Sequence, residues 1–338
     1  MAVLNRIAVP AAVLVSALIY FSSPAQAERI QRGLSVMVLG SGGPAAYRTA
    51  RASAGYLIFV DRKPRILLDA GGGTYQRLAA SGANIKDLDL VLLSHLHIDH
   101  TADLSPMIKT IYFHNRSAGT FRKKPIHIIG PGANYRGFPP VLKGATASQF
   151  PSTSQYVTGH YDLNTGVHRY LHVFTRAISG GEFNYTTQDV QPDVLQPIKT
   201  VYDKDGLVVK AIGVTHGPVP ALAYRIEYKG KALVYSGDTS SKTGNMIAIA
   251  KDADLLIYDA AIMDDLPNGP GHKVFFALHT TPTRIGQVAA RAGAKVLLLS
   301  HITPVTGLRL SKVKKRVEDQ GFRGRIEVAR DLALYNLH

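Results

Sequence analysis

A short segment of the chain carries three histidines and an aspartate directly after an apolar run. Segment 94–100 reads SHLHIDH. Because side chains alternate along an extended backbone, the spacing of two places His95 and His97 on the same side. Asp99 and His100 come where the predicted strand gives way to a helix that turns the chain back toward the same point. Imidazoles and a carboxylate that converge at a strand end can bind a divalent metal.

Three further candidate ligands follow three other apolar runs, namely His216, Asp238 and His301. In layered α/β proteins ligands bind outside the carboxyl ends of strands, so four strand ends can build one site. Five histidines and two aspartates suffice for two divalent ions bridged by one carboxylate. Zinc suits this mixed ligand set, and manganese and iron are compatible with it. The glycine-rich turn 40–43 fits an anion cradle or a tight turn beside the site equally well.

Composition limits the remaining possibilities. The chain has 338 residues, of which 46% are hydrophobic and 19% charged, as in a packed globular protein. It has no cysteine, which excludes disulfides, iron–sulfur clusters and thiolate nucleophiles. A formal charge of +15 favours anionic partners, which are nucleic acid, acidic lipid, or small phosphate and sulfate esters, and charge alone does not choose among them. The sequence has no alternating array of basic and aromatic residues that would predict a specific nucleic-acid partner. It is compatible with a homodimer.

The N-terminal residues have the pattern of an export signal. Arg6 precedes the uncharged run 7–21, and Ala25-Gln26-Ala27 matches the small-x-small pattern of a cleavage site. The alternative, a membrane anchor, needs about 20 apolar residues, and the run is shorter. No other stretch is apolar enough to span a bilayer. We therefore expect 1–27 to be removed and 28–338 to form a periplasmic or secreted domain.

The periodicity of the chain predicts an α/β protein, because short apolar strands alternate with helices that can cover a sheet. The predicted strands are 35–39, 54–60, 65–68, 88–93, 126–129, 207–214, 223–228, 232–235, 255–258, 296–299 and 326–328. The predicted helices are 74–81, 101–110, 244–251, 283–292 and 311–320, the last with Ser311 as its N-cap.

Residues 131–197 differ from the rest of the chain. Their periodicity is weak, and they hold a third of the aromatic residues in a fifth of the length. A long irregular insertion in a compact domain is commonly a lid or a binding loop. The alternative is a structural flap whose aromatic side chains only cover the core.

At several motifs the chain resembles the metallo-β-lactamase superfamily, in its branch of ribonuclease Z and secreted arylsulfatases. The similar segments are LGSGGP (39–44), LLDAGGGTYQ (67–76), THGP (215–218), GDT (237–239), HTT (279–281) and LSH (299–301). The resemblance covers almost all of the mature chain outside 131–197. It implies a four-layer αββα sandwich with a dinuclear metal site at one edge of two paired sheets.

Carried over residue by residue, the resemblance also assigns roles within the site. One metal takes His95, His97 and His216. The other takes Asp99, His100 and His301, which makes Asp99 part of the catalytic centre. Asp238 bridges the two ions. His279 becomes the general acid for the leaving group, oriented by Asp259. The alternative for His279 is a polar cap at a helix N-terminus.

Departures from the branch shape the predicted substrate. Asp259 stands where the branch has glutamate, 302–306 lacks the arginine that ribonucleases use to bind phosphate, and no tRNA-gripping arm is recognisable. Together with export, these features favour an arylsulfatase-like sulfate ester hydrolase acting on a small anionic ester. One alternative is a phosphodiesterase acting on a cyclic nucleotide or another phosphodiester. The other is a non-catalytic periplasmic metal-binding module.

Overall fold

The computed structural model describes residues 30–45, 48, 50–134, 149–267 and 269–337. The predicted signal segment 1–27 lies outside the described residues, as do Tyr135 and Phe138 of the predicted lid. Among the described residues, no helix is long and apolar enough to cross a bilayer.

Two mixed β-sheets form the centre of the described structure. The first has the order β14-β1-β2-β3-β4-β5-β6 and the second the order β13-β12-β11-β10-β9-β8-β7. The strands of the first are β1 (Leu34–Gly40), β2 (Gly55–Val60), β3 (Lys63–Ala70), β4 (Leu90–Leu92), β5 (Ile126–Pro131), β6 (Tyr185–Val190) and β14 (Leu334–Leu337). Those of the second are β7 (Lys199–Lys204), β8 (Leu207–Gly213), β9 (Leu222–Tyr228), β10 (Lys231–Tyr235), β11 (Leu255–Asp259), β12 (Val296–Ser300) and β13 (Arg325–Val328).

Helices cover the outer face of each sheet. They are α1 (Thr74–Ser81), α2 (Ile98–Thr101), α3 (Leu104–Ser117), α4 (Thr153–Tyr161), α5 (Tyr170–Phe174), α6 (Asn245–Ile249), α7 (Pro270–Leu278), α8 (Pro282–Ala292), α9 (Pro304–Gly307) and α10 (Leu310–Glu318), with a π-helical turn at Thr175–Ser179 after α5. One apolar cluster lies between the sheets, and one lies between each sheet and its helices. This layering confirms the predicted four-layer αββα sandwich.

Strand direction brings the candidate ligands to one edge. Strands β3 to β6 pair in parallel, and so do β10 to β13. Strand β8 is antiparallel to β9, which is antiparallel to β10, so β8 and β10 run in the same direction. The carboxyl ends of β4, β8, β10 and β12 precede the predicted ligands. Hydrogen bonds from Leu222 N to Ser94 O and from Tyr224 Oη to Leu93 O join the two sheets beside this edge.

The prediction of an irregular insertion at 131–197 is wrong for its described part. That part contains α4, α5 and β6, and β6 extends the first sheet as an edge strand. Ser152 and Gln155 form a capping box at the start of α4. Tyr161 and Phe183 are buried in the apolar layer under α3, so these two aromatic residues cover the core, as the alternative expected.

Smaller differences concern element bounds. The predicted helix 101–110 is two helices, α2 and α3, and the second continues to Ser117. Helix α10 begins at Leu310, so Ser311 lies inside it and does not act as its N-cap. The predictions missed β6, β7, β14, α4, α5, α7 and α9.

Candidate metal centre

Three of the predicted ligands point at one another from β4 and β8. His95 Nε2 lies 3.0 Å from His97 Nδ1, and His216 Nε2 lies 3.3 Å from the same His97 atom. The rings of His95 and His216 meet edge to face at 4.7 Å between centroids. The three nitrogens therefore surround one point at the edge of the two sheets.

The other four predicted ligands form a second group beside the first. Asp99 Oδ2 lies 3.2 Å from His301 Nε2 and 3.6 Å from His100 Nε2. Asp238 Oδ2 lies 3.2 Å from His301 Nε2 and 3.9 Å from His95 Nε2, so this carboxylate faces both groups. Within each group, the candidate ligand atoms all lie within 4.8 Å of one another. The structure thus brings together all seven side chains, which the sequence spreads over four strand ends.

The donor set fits a pair of cations. Ligands about 2.0–2.2 Å from a tetrahedral metal lie about 3.4 Å apart, close to the separations within each group. His100 Nε2 and Asp238 Oδ1 are buried and hold no hydrogen bond within the described chain. No lysine or arginine among the described residues forms an ion pair with Asp99, Asp238 or Asp259. Buried carboxylates without such a counterion are stabilised by bound cations.

Burial and the charges of nearby carboxylates affect the histidines of the two ligand groups differently. Burial lowers the pKa of His95 and His97 and brings that of His216 to about 3, which keeps these imidazoles neutral and able to bind a metal. Burial opposes the charged form of His100, but Asp238, Asp69 and Asp99 raise the pKa of His100 well above its usual value.

The carboxylates of the centre are held in the ionised form. Burial opposes ionisation of Asp238, yet the charges of His301 and His100 hold its pKa well below the usual range. The same balance, of burial against His100 and His301, lowers the pKa of Asp99. Carboxylates that attract protons onto neighbouring imidazoles attract a divalent cation for the same reason.

Tight backbone contacts position the ligands. A Cβ atom on Gly71, at the end of β3, would lie 2.0 Å from the carbonyl oxygen of Asp99, so only glycine lets these segments meet. His301 follows β12 with φ at +56°, a left-handed conformation that is rare for histidine and typical of functional sites. Thr101 Oγ1 donates to His97 O and closes the turn between β4 and α2.

Close packing also accounts for the glycine-rich turn 40–43. A Cβ on Gly40 would lie 1.7 Å from Ser53 O, and one on Gly43 would lie 2.9 Å from Cε1 of the His301 ring. The structure therefore favours the tight turn beside the site over the anion cradle.

The predictions missed the groups that contact the ligating histidines on the side away from the metal centre. The Asp69 carboxylate lies 2.7 Å from His100 Nδ1 and accepts hydrogen bonds from Ser94 N, Ser94 Oγ and Tyr235 Oη. His216 Nδ1 lies 2.7 Å from Leu278 O. The signal for Asp69 was available, because it is an acid at the end of an otherwise apolar strand.

His279 lies beside the centre, at the C-terminal cap of α7. Its Nδ1 is 2.8 Å from Asp259 Oδ2, and its ring centroid is 5.4 Å from that of His301 and 5.6 Å from that of His216. Burial opposes the charged imidazolium, but the Asp259 carboxylate raises the pKa of His279 to about 9. Thr281 is the N-cap of α8, so the alternative of a polar cap at a helix N-terminus is wrong for His279.

Comparisons with known proteins agree with this geometry. The chain matches the profiles "Metallo-beta-lactamase superfamily" over residues 48–137 and "Beta-lactamase superfamily domain" over residues 155–302. Ribonuclease Z of Mycobacterium marinum is 27% identical over 314 residues, which cover 90% of this chain and 99% of that protein.

Two solved structures share the fold. The metallo-beta-lactamase fold protein YhfI from Bacillus subtilis superposes with a TM-score of 0.62 at 23% identity, covering 90% of this chain and 99% of its own. The short form of human tRNase Z superposes with a TM-score of 0.60 at 21% identity, with the same coverage.

Proposed function

The chain belongs to the metallo-β-lactamase superfamily and is a metallohydrolase acting on ester bonds, and we propose that its substrates are phosphodiesters. The observation that carries the proposal is the pair of ligand groups joined by Asp238. His95, His97 and His216 would hold one divalent ion, Asp99, His100 and His301 the other. Bound ions supply Lewis acidity and hydroxide at neutral pH.

The chain's own residues supply the remaining parts of the reaction. Asp99 and Asp238 stay ionised and neutralise part of the charge of two cations, which leaves a positive site for an anionic ester. Because Asp259 holds Nδ1 of His279, Nε2 is free to carry a proton to the oxygen that leaves. The shorter Asp259, where the branch has glutamate, still reaches the imidazole, so this departure does not remove the pair.

The relatives support phosphodiesters over sulfate esters. Ribonucleases cleave phosphodiesters, and ribonuclease Z sequences align with about nine-tenths of this chain. Sulfate ester hydrolysis and zinc as the metal stay predictions, as do export and the roles of individual residues. The proposed reaction and the metal centre do not depend on whether the protein is exported.

A panel of nitrophenyl esters tests the proposal. We expect the purified protein to hydrolyse bis(4-nitrophenyl) phosphate faster than 4-nitrophenyl sulfate. Dialysis against a chelator should abolish the activity, and added zinc, manganese or iron should restore it. His216→Ala should cost at least about 100-fold in kcat/KM, since it removes one of three ligands. A faster rate on the sulfate ester, or full activity after chelation, would contradict the proposal.

A further inference from the structure

A groove of about 630 Å³ opens beside the candidate metal centre. Its lining includes Leu96, Ile98 and Thr101, which are chain neighbours of four proposed ligands, His95, His97, Asp99 and His100. Tyr156 of α4 and Tyr170 of α5 also line it. The volume lies within the range of about 300–1,000 Å³ that small-molecule sites occupy. The groove therefore lies against the segment that carries four of the proposed ligands.

The lining of the groove combines exposed rings with positive charge. Phe113 is 40% exposed and Tyr170 is 50% exposed, although both side chains are large and hydrophobic. The Lys109 ammonium lies 5.8 Å from the centroid of the Phe113 ring and 4.4 Å from that of Phe174. No carboxylate lines the described groove. These walls suit a flat ring that is attached to an anion.

The groove also offers hydrogen-bonding groups that a plain aryl ring would not use. Tyr75 and Tyr170 line it, and the hydroxyl of neither forms a hydrogen bond within the described part of the chain. His160 Nδ1 lies 2.8 Å from Tyr156 O, which leaves Nε2 available, and the His168 ring lies 5.6 Å away. A nucleobase has both a flat face for the rings and a polar edge for these groups.

We propose that the groove binds the nucleoside attached to the scissile phosphate, so that the substrates are small nucleotide phosphodiesters. This inference rests on the proposed function, because it assigns the organic part of the same substrate. The rings of Tyr170 and Phe113 stack on the base, and Lys109 attracts the anion as it enters. Folded RNA is not required for such recognition, since the groove has room for one nucleoside beside the phosphate.

Matched esters with one leaving group test the inference. Methyl 4-nitrophenyl phosphate and the 3′ and 5′ thymidine 4-nitrophenyl phosphates all release 4-nitrophenolate and differ only in the group that stays. We expect kcat/KM to be about 10- to 100-fold higher for at least one thymidine ester, the gain that one base–aromatic stacking contact provides. Equal kcat/KM for the methyl ester and both thymidine esters would overturn the inference and leave the proposed function standing. Failure to hydrolyse any phosphodiester would instead overturn the proposed function.

Variants locate the effect in the groove. Tyr170→Ala and Phe113→Ala should each remove most of the thymidine preference while leaving kcat/KM for the methyl ester unchanged. Phe121→Ala, an exposed aromatic outside the groove, should change neither value. Equal losses on both esters would indicate structural damage to the centre and contradict a role in binding the nucleoside.

A binding measurement separates the groove from catalysis. Saturation-transfer NMR of the metal-loaded protein with thymidine, which carries no ester to cleave, should show transfer to the base protons, and Tyr170→Ala should reduce it several-fold. Transfer that is absent, or that is unaffected by both ring substitutions, would overturn the inference.

Discussion

The carboxylate of Asp69 lies 2.7 Å from Nδ1 of His100, on the opposite side of the ring from the nitrogen that faces the candidate metal centre. Both side chains are fully buried. Three hydrogen bonds from Ser94 and Tyr235 hold the carboxylate in place. Asp69 therefore fixes the orientation of His100 and keeps the proton on Nδ1, which leaves Nε2 able to bind a metal.

Replacing Asp69 by asparagine should weaken metal binding without removing a ligand. We expect Asp69→Asn to lower metal affinity by about 10- to 100-fold, the usual cost of losing a group that orients a ligating histidine. Titration against a competing chelator measures the affinity. Tyr235→Phe serves as the control because it removes one hydroxyl that donates to Asp69 and keeps the carboxylate beside His100. Equal affinity in Asp69→Asn and the unsubstituted protein would contradict the assigned role.

Removing the metals should destabilise the fold, because buried carboxylates from both sheets would lose their counterions. A ligand present at about 1,000 times its Kd stabilises the folded state by about 4 kcal/mol. We therefore expect a chelator to lower the Tm measured by calorimetry and added metal to restore it. His97→Ala should shrink this shift, and His279→Ala, which removes no proposed ligand, should retain it. A Tm that is indifferent to chelator would argue against bound ions in the folded protein.

How far the fold could be predicted depends on where each strand lies. Strands such as β11 are buried on both faces, so they appear in the sequence as short apolar runs. The missed strands β6 and β7 lie at sheet edges and have mostly polar, partly exposed side chains. Their pairing depends on backbone hydrogen bonds to a neighbour, which periodicity does not reveal. Helix α4 carried a usable signal in the Ser152–Gln155 capping box.

The candidate site was predictable to a different extent. His216, Asp238 and His301 share one signal, a metal-binding residue directly after an apolar strand. The convergence of strand ends in layered folds then places them together. Asp69 has the same signal, but spacing alone does not distinguish a side chain that would bind a metal from one that orients a ligand. The groove could not be predicted, because α3, α4 and α5 form its walls only after the chain folds.

Adding one methyl group beside His301 should disturb half of the metal centre. A Cβ on Gly43 would lie 2.9 Å from Cε1 and 3.1 Å from Nδ1 of His301, so Gly43→Ala should displace this imidazole. We expect the bound metal, measured by elemental analysis, to fall from two ions toward one per chain, with the loss at the Asp99, His100 and His301 group. Gly244→Ala, whose Cβ meets no atom within 4 Å, should retain both ions. Full occupancy in Gly43→Ala would count against His301 as a ligand.

If His279 is the general acid, the loss of kcat caused by removing it should grow with the pKa of the leaving group. A leaving alkoxide needs a proton and 4-nitrophenolate hardly does, so His279→Ala should lower kcat by about 10²- to 10⁴-fold on alkyl phosphodiesters and only a few-fold on the nitrophenyl ester. A series of phenyl esters with graded phenol pKa measures this as a steeper dependence of log kcat on leaving-group pKa. Asp259→Asn should steepen it less, because the imidazole keeps its place and loses the carboxylate partner. His127 lies in β5 and its side chain is hydrogen-bonded to Thr186. As a control, His127→Ala should leave the slope unchanged. A uniform loss across the series in His279→Ala would mean that His279 positions the substrate or the ligands and does not donate the proton.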